Sequence, residues 1–399
     1  MKADSIPFGH LAEIQPTVRL VRGAEYDFVA MEDVKPNRRH AEVKSRRKWD
    51  GGGGSRFGNG DTVFARITPC LENGKTALIS GLSSDVGLGS TEFLVFRSKP
   101  NISDERFIYY LARSDLIREP AIKSMVGASG RQRAQLSVIE RIPVPALPVI
   151  VQEKIADILS AYDELIENNR RRIALLEEAA RLLYREWFVH FRFPGHEHIS
   201  FTDGLPEGWA QVPAAEAFEV NPKTSRNDDG VIRYIPMSAL SETGMVIDRG
   251  PVEDRDKSTS VRFRNGDTLL ARITPCLENG KTGYVQFLSE DEVACGSTEF
   301  IVLRGRRVSN YIVYLTARQH DFRENAIRSM IGSSGRQRVQ PSCFDRYLVP
   351  IPPQVLSTLF DEAVGGMFAQ IGNLDQQNQK LAQARDLLLP RLMNGEITV

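Results

Sequence analysis

The sequence predicts two tandem α/β (α+β) domains separated by two long antiparallel coiled-coil helices with pseudo-two-fold symmetry. Three observations predict it. A set of segments recurs along the 399-residue chain at an offset of 205 to 207 positions. Two stretches carry seam residues in steps of three and four over about forty residues, the a/d pattern of a coiled coil. Between them, short apolar runs bounded by glycine, proline and Asn-Gly alternate with helix-period segments, as in mixed α/β domains.

The repeat comes first, because a missed repeat misreads the whole fold. Ala65–Thr76 reads ARITPCLENGKT, and Ala271–Thr282 reads the same twelve letters. Asn59-Gly60-Asp61-Thr62 matches Asn265-Gly266-Asp267-Thr268. Gly89–Phe93 (GSTEF) matches Gly296–Phe300, and Ser129–Arg133 (SGRQR) matches Ser334–Arg338. A period this long is no solenoid; it is the duplication of a domain with its helix. The order is a first domain (1–148), a helical region (149–192), a second domain (193–353) and a second helical region (354–399).

In chain order, Asp27–Met31 and Arg233–Met237 read as strands. Asn-Gly at 59–60 and 265–266 signals tight turns leading into the apolar strands Thr62–Ile67 and Thr268–Ile273. Glu92–Phe96 and Glu299–Leu303 read as further strands, and Arg106–Ser114 and Asn310–Gln319 as helices. Pro143, Pro145 and Pro148, then Pro350, Pro352 and Pro353, set stiff approaches to the long helices.

The first helix, Val149–Phe188, carries the seam Leu159, Tyr162, Ile166, Asn169, Ile173, Leu176, Ala180, Leu183 and Trp187. The second, Val355–Met393, carries Val364, Met367, Ile371, Leu374, Asn378, Leu381, Arg385, Leu388 and Leu392. Each seam needs a partner, and one chain with two copies can pair them internally. The competing reading has each helix packing on its own domain. Gly365-Gly366 weakens the second helix, and Pro390 is expected to kink or end it.

Composition narrows the function. With 41% hydrophobic residues the chain can bury sizeable cores. Formal net charge is zero, against a protein that coats nucleic acid non-specifically. Cys70, Cys276, Cys295 and Cys343 have no CxxC spacing, so neither a zinc ribbon nor a disulfide framework is indicated. With no N-terminal signal and no apolar run of membrane-spanning length, a cytoplasmic, membrane-free setting is expected.

Catalytic readings fail on mechanism. Gly74-Lys75-Thr76 and Gly280-Lys281-Thr282 resemble the end of a phosphate loop, but Pro69 and Pro275 stand where that loop needs a glycine N–H. Asn221-Pro222-Lys223 is not the loop that holds a flipped base, and no glycine-rich cofactor turn precedes it. Glu42-Val43-Lys44 has nuclease-like spacing without a partner acid, and His190, His196 and His198 form no ligand set. No catalytic residue and no metal site is assigned.

Recognition remains. Arginine forks match guanine O6/N7 and glutamine matches adenine N6/N7, so Arg131, Gln132, Arg336 and Gln337 are candidate base readers. Arg133 and Arg338 are candidate phosphate contacts. Asn73, Lys75, Asn279 and Lys281 are candidates for a phosphate or base edge, against a plain hairpin turn. Thr91-Glu92 and Thr298-Glu299 either read cytosine N4 or sit in strands. The basic run Lys35–Lys48 adds Arg38, Arg39, Arg46 and Arg47, against a solvated loop.

At this point the residues resemble the specificity (S) subunits of type I restriction–modification systems. Gln152-Glu153-Lys154-Ile155 with Leu159 and Asp163 resembles the start of that family's central conserved region. Leu176-Glu177-Glu178, Leu183–Phe188 and Phe191–Glu197 resemble its end, and Leu388–Ile397 its C-terminal signature. The resemblance implies a non-catalytic subunit of a DNA adenine-N6 methyltransferase/endonuclease complex. Two target recognition domains each read half of a bipartite double-stranded DNA site. The helices set the spacer and dock two methyltransferase (M) subunits, and restriction (R) motor–nuclease subunits complete the complex. It implies no cofactor in this chain: S-adenosylmethionine belongs to the methyltransferase, ATP and Mg to the motor–nuclease. Base contacts do not carry over by position. The alternative is a recognition subunit of another phage-defence system, or a stand-alone DNA-binding regulator. Because the two domains are so alike, the half-sites are expected to be similar, diverging where Lys35–Phe57 and Ser241–Phe263 differ.

Overall fold

The structure is a computed structural model that describes residues 4–225, 230–256, 260–333, 335–397 and 399. Ser334 of the second SGRQR copy, and residues 257–259 of the second divergent stretch, lie outside the described residues. The chain forms two compact units: unit 1 is Met1–Glu167 with Gln379–Val399, and unit 2 is Asn168–Asn378.

Unit 1 contains β1 (Ser5–Pro7), α1 (Phe8–Leu11), β2 (Ala12–Ile14), β3 (Glu25–Val29), β4 (Ser45–Lys48), β5 (Ser55–Gly58), β6 (Thr62–Ala65), β7 (Thr76–Leu78), β8 (Val86–Gly89) and β9 (Phe93–Ser98). Then come α2 (Glu105–Arg113), α3 (Asp115–Lys123), α4 (Leu136–Ile139), β10 (Pro143–Pro145) and the start of α5 (Val149–Tyr184). The strands make two four-stranded sheets, β2-β9-β6-β7 and β4-β3-β8-β5, and a β1-β10 pair. Among the described strands of this unit, only β3 and β8 pair in parallel.

The central strands are apolar on both faces because both faces are covered. Val63, Phe93 and Val95 enter the core between the sheets with Val29 and Phe57. Their alternates Phe64, Leu94 and Phe96 enter a second core beneath α2, α3 and α5. The period-2 geometry of a strand makes this division.

Unit 2 repeats the plan after a short β11 (Phe201–Thr202) and β12 (Leu205–Pro206) pair. Its strands are β13 (Ala210–Pro213), β14 (Phe218–Val220), β15 (Ile232–Ile235), β16 (Glu253–Arg255), β17 (Val261–Phe263), β18 (Thr268–Ala271), β19 (Thr282–Tyr284), β20 (Ala294–Gly296), β21 (Phe300–Gly305) and β22 (Leu348–Ile351). Its helices are α6 (Ala214–Ala217), α7 (Asn310–Ala317), α8 (His320–Arg328) and most of α9 (Gln354–Met393). Sheet orders β14-β21-β18-β19 and β16-β15-β20-β17 reproduce those of unit 1.

The Asn-Gly turns do not close hairpins. Asn59-Gly60 carries the chain from β5 in one sheet to β6 in the other, with Gly60 at φ +85°. Asp61, 1% exposed, then accepts both arms of the Arg97 fork at 2.7 and 2.6 Å and the Gly58 N–H at 2.7 Å. Asp267 does the same with Arg304, both at 2.7 Å, and with the Arg264 N–H at 2.9 Å. The repeated Asp thus fixes a crossover between sheets.

The long helices pair antiparallel. In unit 1, Leu159 shares a core with Leu389 and Leu392, and Asp163 meets Arg385. In unit 2, Phe360 packs on Tyr184, Trp187 and Phe188, with ring centroids 6.4, 5.5 and 4.8 Å apart. The seam is not a strict heptad. Asp163, Glu177 and Tyr184 are buried where Tyr162, Leu176 and Leu183 were expected; those three are half-buried. Leu159, Ile166, Val364, Ile371 and Leu374 are buried as expected, whereas Ile173, Leu381 and Leu388 are half-buried. Two causes act together. A 3.6-residue helix drifts from a 3.5-residue repeat, and each helix also covers its own unit's domain, which widens the buried face. Pro390 does not end α9: it stands in the last turn, where one hydrogen bond is forgone.

Candidate nucleic-acid interface

Segments that are distant in sequence but identical between the copies meet at one end of each unit's sheets. In unit 1 the turn TPCLENGK links β6 to β7, so the Asn73-Gly74-Lys75 segment is a hairpin connection. The Arg66 N–H donates to the Glu92 carbonyl at 2.9 Å, and the Ala134 N–H to the Arg66 carbonyl at 2.8 Å. The Thr68 N–H donates to the Gln132 carbonyl at 3.0 Å, and the Gln132 N–H returns to Thr68 Oγ1 at 2.9 Å.

Unit 2 repeats each bond. Arg272 reaches the Glu299 carbonyl at 2.9 Å, and Val339 the Arg272 carbonyl at 2.8 Å. Thr274 and Gln337 exchange bonds of 3.1 Å in both directions. The Thr68–Pro69 and Thr274–Pro275 bonds are both cis.

These bonds pin the SGRQR loop at its base and leave its tip outside. Gly127 (φ +133°) and Gly332 (φ +139°) have no room for a side chain: a Cβ would lie 3.0 Å from the Arg131 carbonyl and 2.9 Å from that of Arg336. Arg131 and Arg336 are exposed, and Gln132 and Gln337 half-buried.

The third loop arginine points elsewhere. Arg133 grips Glu92 with Nε at 2.9 Å and Nη2 at 2.6 Å. Arg338 grips Glu299 with Nε at 3.0 Å and Nη2 at 2.7 Å. Each fork is committed through Nε and Nη2 to a carboxylate, so Arg133 and Arg338 brace the loop, while the side chains stay 43% and 46% exposed. Glu92 is likewise occupied, which removes it as a cytosine acceptor; the Arg133 hydrogen bond holds its carboxyl below the usual range. Sequence reasoning missed Arg66 and Arg272, which stand behind the clamp; Arg272 Nε is 4.0 Å from Glu299. Their presence in the identical twelve letters was the available signal.

Lys75 and Lys281 turn inward to the Met31 and Met237 carbonyls at 2.7 and 3.3 Å. Asn73 and Asn279 are exposed, the latter 3.3 Å from Glu242. The basic run is mostly neutralised within unit 1. Arg38 pairs with Glu42 at 3.0 Å, and Arg46 lies 3.7 Å from Asp27. Arg47 stacks over Phe28, 3.4 Å from the ring centre. Arg39 is 8% exposed and faces Glu164 at 3.5 Å, so it is a buried structural residue and not a phosphate contact. No helix among the described residues is long and apolar enough to cross a membrane.

Residues 59–178 match the family model described as the type I restriction modification DNA specificity domain. The chain is 24% identical over 305 residues to the type I restriction enzyme MjaIX specificity subunit of Methanocaldococcus jannaschii, covering 73% of this chain and 69% of that one. It is 22% identical over 437 residues to the HindI specificity subunit of Haemophilus influenzae, covering 93% and 94%. Among solved structures, the type I restriction–modification S subunit from M. genitalium matches 98% of this chain and 95% of its own, with TM-score 0.52 and 14% identity. That last likeness concerns the fold, the same two mixed domains and long helices. The matched specificity domain and the relatives agree with the duplicated domain-and-helix plan: residues 59–178 carry a type I restriction modification DNA specificity domain, and the chain is similar along its length to specificity subunits of type I restriction enzymes.

Proposed function

We propose that this chain gives a type I complex its DNA sequence preference by reading a bipartite duplex site, one half with each recognition domain (1–148 and 193–353). The observation that carries the proposal is the convergence, in each unit, of three identical segments around an exposed arginine and a half-buried glutamine on a braced loop. Arg131 and Gln132 read one half-site, Arg336 and Gln337 the other. Asn73 and Asn279, exposed in the hairpin connections, are further candidate contacts. Arginine to guanine and glutamine to adenine are bidentate pairings, each worth about 1–3 kcal/mol of discrimination.

The same letters at the same places in both units make the half-sites similar, so the target approaches an interrupted palindrome. The helices (149–192 and 354–399) set the unread spacer and dock two methyltransferase subunits, which bind S-adenosylmethionine and methylate adenine N6. Restriction subunits using ATP and Mg cut unmodified DNA. The chain works in the cytoplasm, on duplex DNA, without chemistry of its own. A net charge of zero suits a subunit that shares the phosphate load with partners.

The test is single-molecule sequencing of genomic DNA from cells expressing the chain with its methyltransferase subunit, against cells lacking only this chain. The expected result is a bipartite N6-methyladenine motif with related halves that disappears with the chain. No methylation difference, with an active partner, overturns the reading; wholly unrelated halves overturn the near-palindrome.

A further inference from the structure

A cleft opens in each unit, lined partly by residues that the repeat preserves and partly by residues that it does not. In unit 1 it holds about 440 Å³ and is lined by Gln15, Pro16, Thr17, Arg56 and Thr91, among others. In unit 2 it holds about 600 Å³ and is lined by Asn221, Pro222, Lys223, Thr224 and Arg262. Both volumes are those of ligand-binding clefts.

The rim is built the same way twice. β2 is followed by Gln15 (φ +57°), whose N–H donates to the Val95 carbonyl at 2.8 Å and whose Oε1 accepts from the Val95 N–H at 3.2 Å. β14 is followed by Asn221 (φ +51°), bonded in the same two ways to Val302 at 2.7 and 3.0 Å. The left-handed residue with its amide side chain satisfies the neighbouring strand. The following proline cannot continue pairing, so Thr17 and Lys223 are carried onto the rim, where both are exposed.

The opposite wall carries the one cation shared at equivalent positions, Arg56 and Arg262. Arg56 is propped over the Trp49 ring at 4.8 Å from its centre. Thr91, at the edge of the first cleft, precedes clamp residue Glu92, so that cleft adjoins the loop that reads bases.

We propose that each cleft binds one backbone phosphodiester of the DNA, held by Arg56 or Arg262, and that residues 17 and 223 read the adjoining nucleotide, where the two half-sites diverge. Lysine offers only donors and selects guanine O6/N7. Threonine offers a hydroxyl and a methyl group and suits the thymine methyl. This proposal rests on the sequence-reading role given above.

Its test uses the complex of the full chain with its methyltransferase subunit. Arg56→Gln and Arg262→Gln are compared with wild type on a duplex carrying the mapped target and on an unrelated duplex, across salt concentrations. Each is expected to lower the log–log salt slope by about 0.9 on both duplexes, as one lost phosphate contact requires, and to leave the methylated motif intact. Thr17→Lys is expected to change one position of the first half-site towards the base that the second half-site carries there, leaving the second half unchanged. Unchanged slopes overturn the phosphate assignment, and an unchanged motif in Thr17→Lys overturns the reading role of residues 17 and 223. Arg131→Ala separates the two levels. If it relaxes the first half-site while the cleft variants do nothing, only the cleft assignment fails; if wild type shows no bipartite motif, the sequence-reading role itself fails.

Discussion

At the residue scale, function depends on which arginines are tied down. Arg131 and Arg133 are two positions apart, yet one is exposed at a loop tip and the other is closed on Glu92. The clamp sets the loop that presents the proposed reader. Arg133→Lys keeps the charge but loses the two-armed grip, so discrimination at the first half-site is expected to fall while the second half-site is unaffected; methylation of mismatched targets measures it. The acid dependence follows from the lowered Glu92 carboxyl. A depressed folded pKa gives a contribution that is complete above the ordinary carboxylate range and is lost as pH falls through the lowered value. The first half-site's discrimination is therefore expected to be flat from neutral to weakly acidic pH and to fail only in stronger acid. Residue type and repetition marked Arg131 and Gln132 as candidate readers in the sequence. They did not separate Arg133 from Arg131, because the partner that decides, Glu92, is 41 positions away.

At the element scale, the helix pair is fixed by buried polar residues as well as by leucines. Arg385, 2% exposed, pairs with Asp163, whose other oxygen accepts from Tyr110 Oη at 2.7 Å. Burial and the neighbouring Asp163 carboxylate both raise the Tyr110 pKa, keeping it a donor. Removing one partner strands the other: Arg385→Ala is expected to cost about 3–5 kcal/mol, whereas Asp163→Leu with Arg385→Met is expected to stay within about 1 kcal/mol of wild type. Chemical denaturation of these two variants against wild type checks both values. The three-and-four spacing identified both helices, and Arg385 stood in the expected seam, but Asp163 did not. Heptad counting assigns one partner surface, and a helix that also roofs a domain buries a wider arc.

At the scale of the whole molecule, duplication is the most legible feature, since a twelve-letter identity survives any uncertainty about individual strands. Sheet order was less so: the Asn-Gly pairs read as tight turns into the following strands, and nothing local shows that those turns join separate sheets. The proposed spacer role has a direct length test. One heptad added to the middle of α5 and one to the middle of α9 preserves the seam and lengthens each helix by about 10 Å. At ~3.4 Å per base pair, the methylated motif is expected to gain about three unread base pairs with both half-sites unchanged; mapping the motif of that variant decides it.

The first unit is discontinuous in sequence, and this governs how the chain is made. Its core is closed by Leu389, Leu392 and Met393, which leave the ribosome only after all of residues 168–378. At ~5–20 residues per second, that delay is on the order of ten seconds or more. During it the apolar bed for α9 beside Leu159 stands open to water and to chaperones, while unit 2 is continuous and completes itself first. Biogenesis therefore runs against chain order, and truncation at Gln379 would injure the unit built from the chain's beginning.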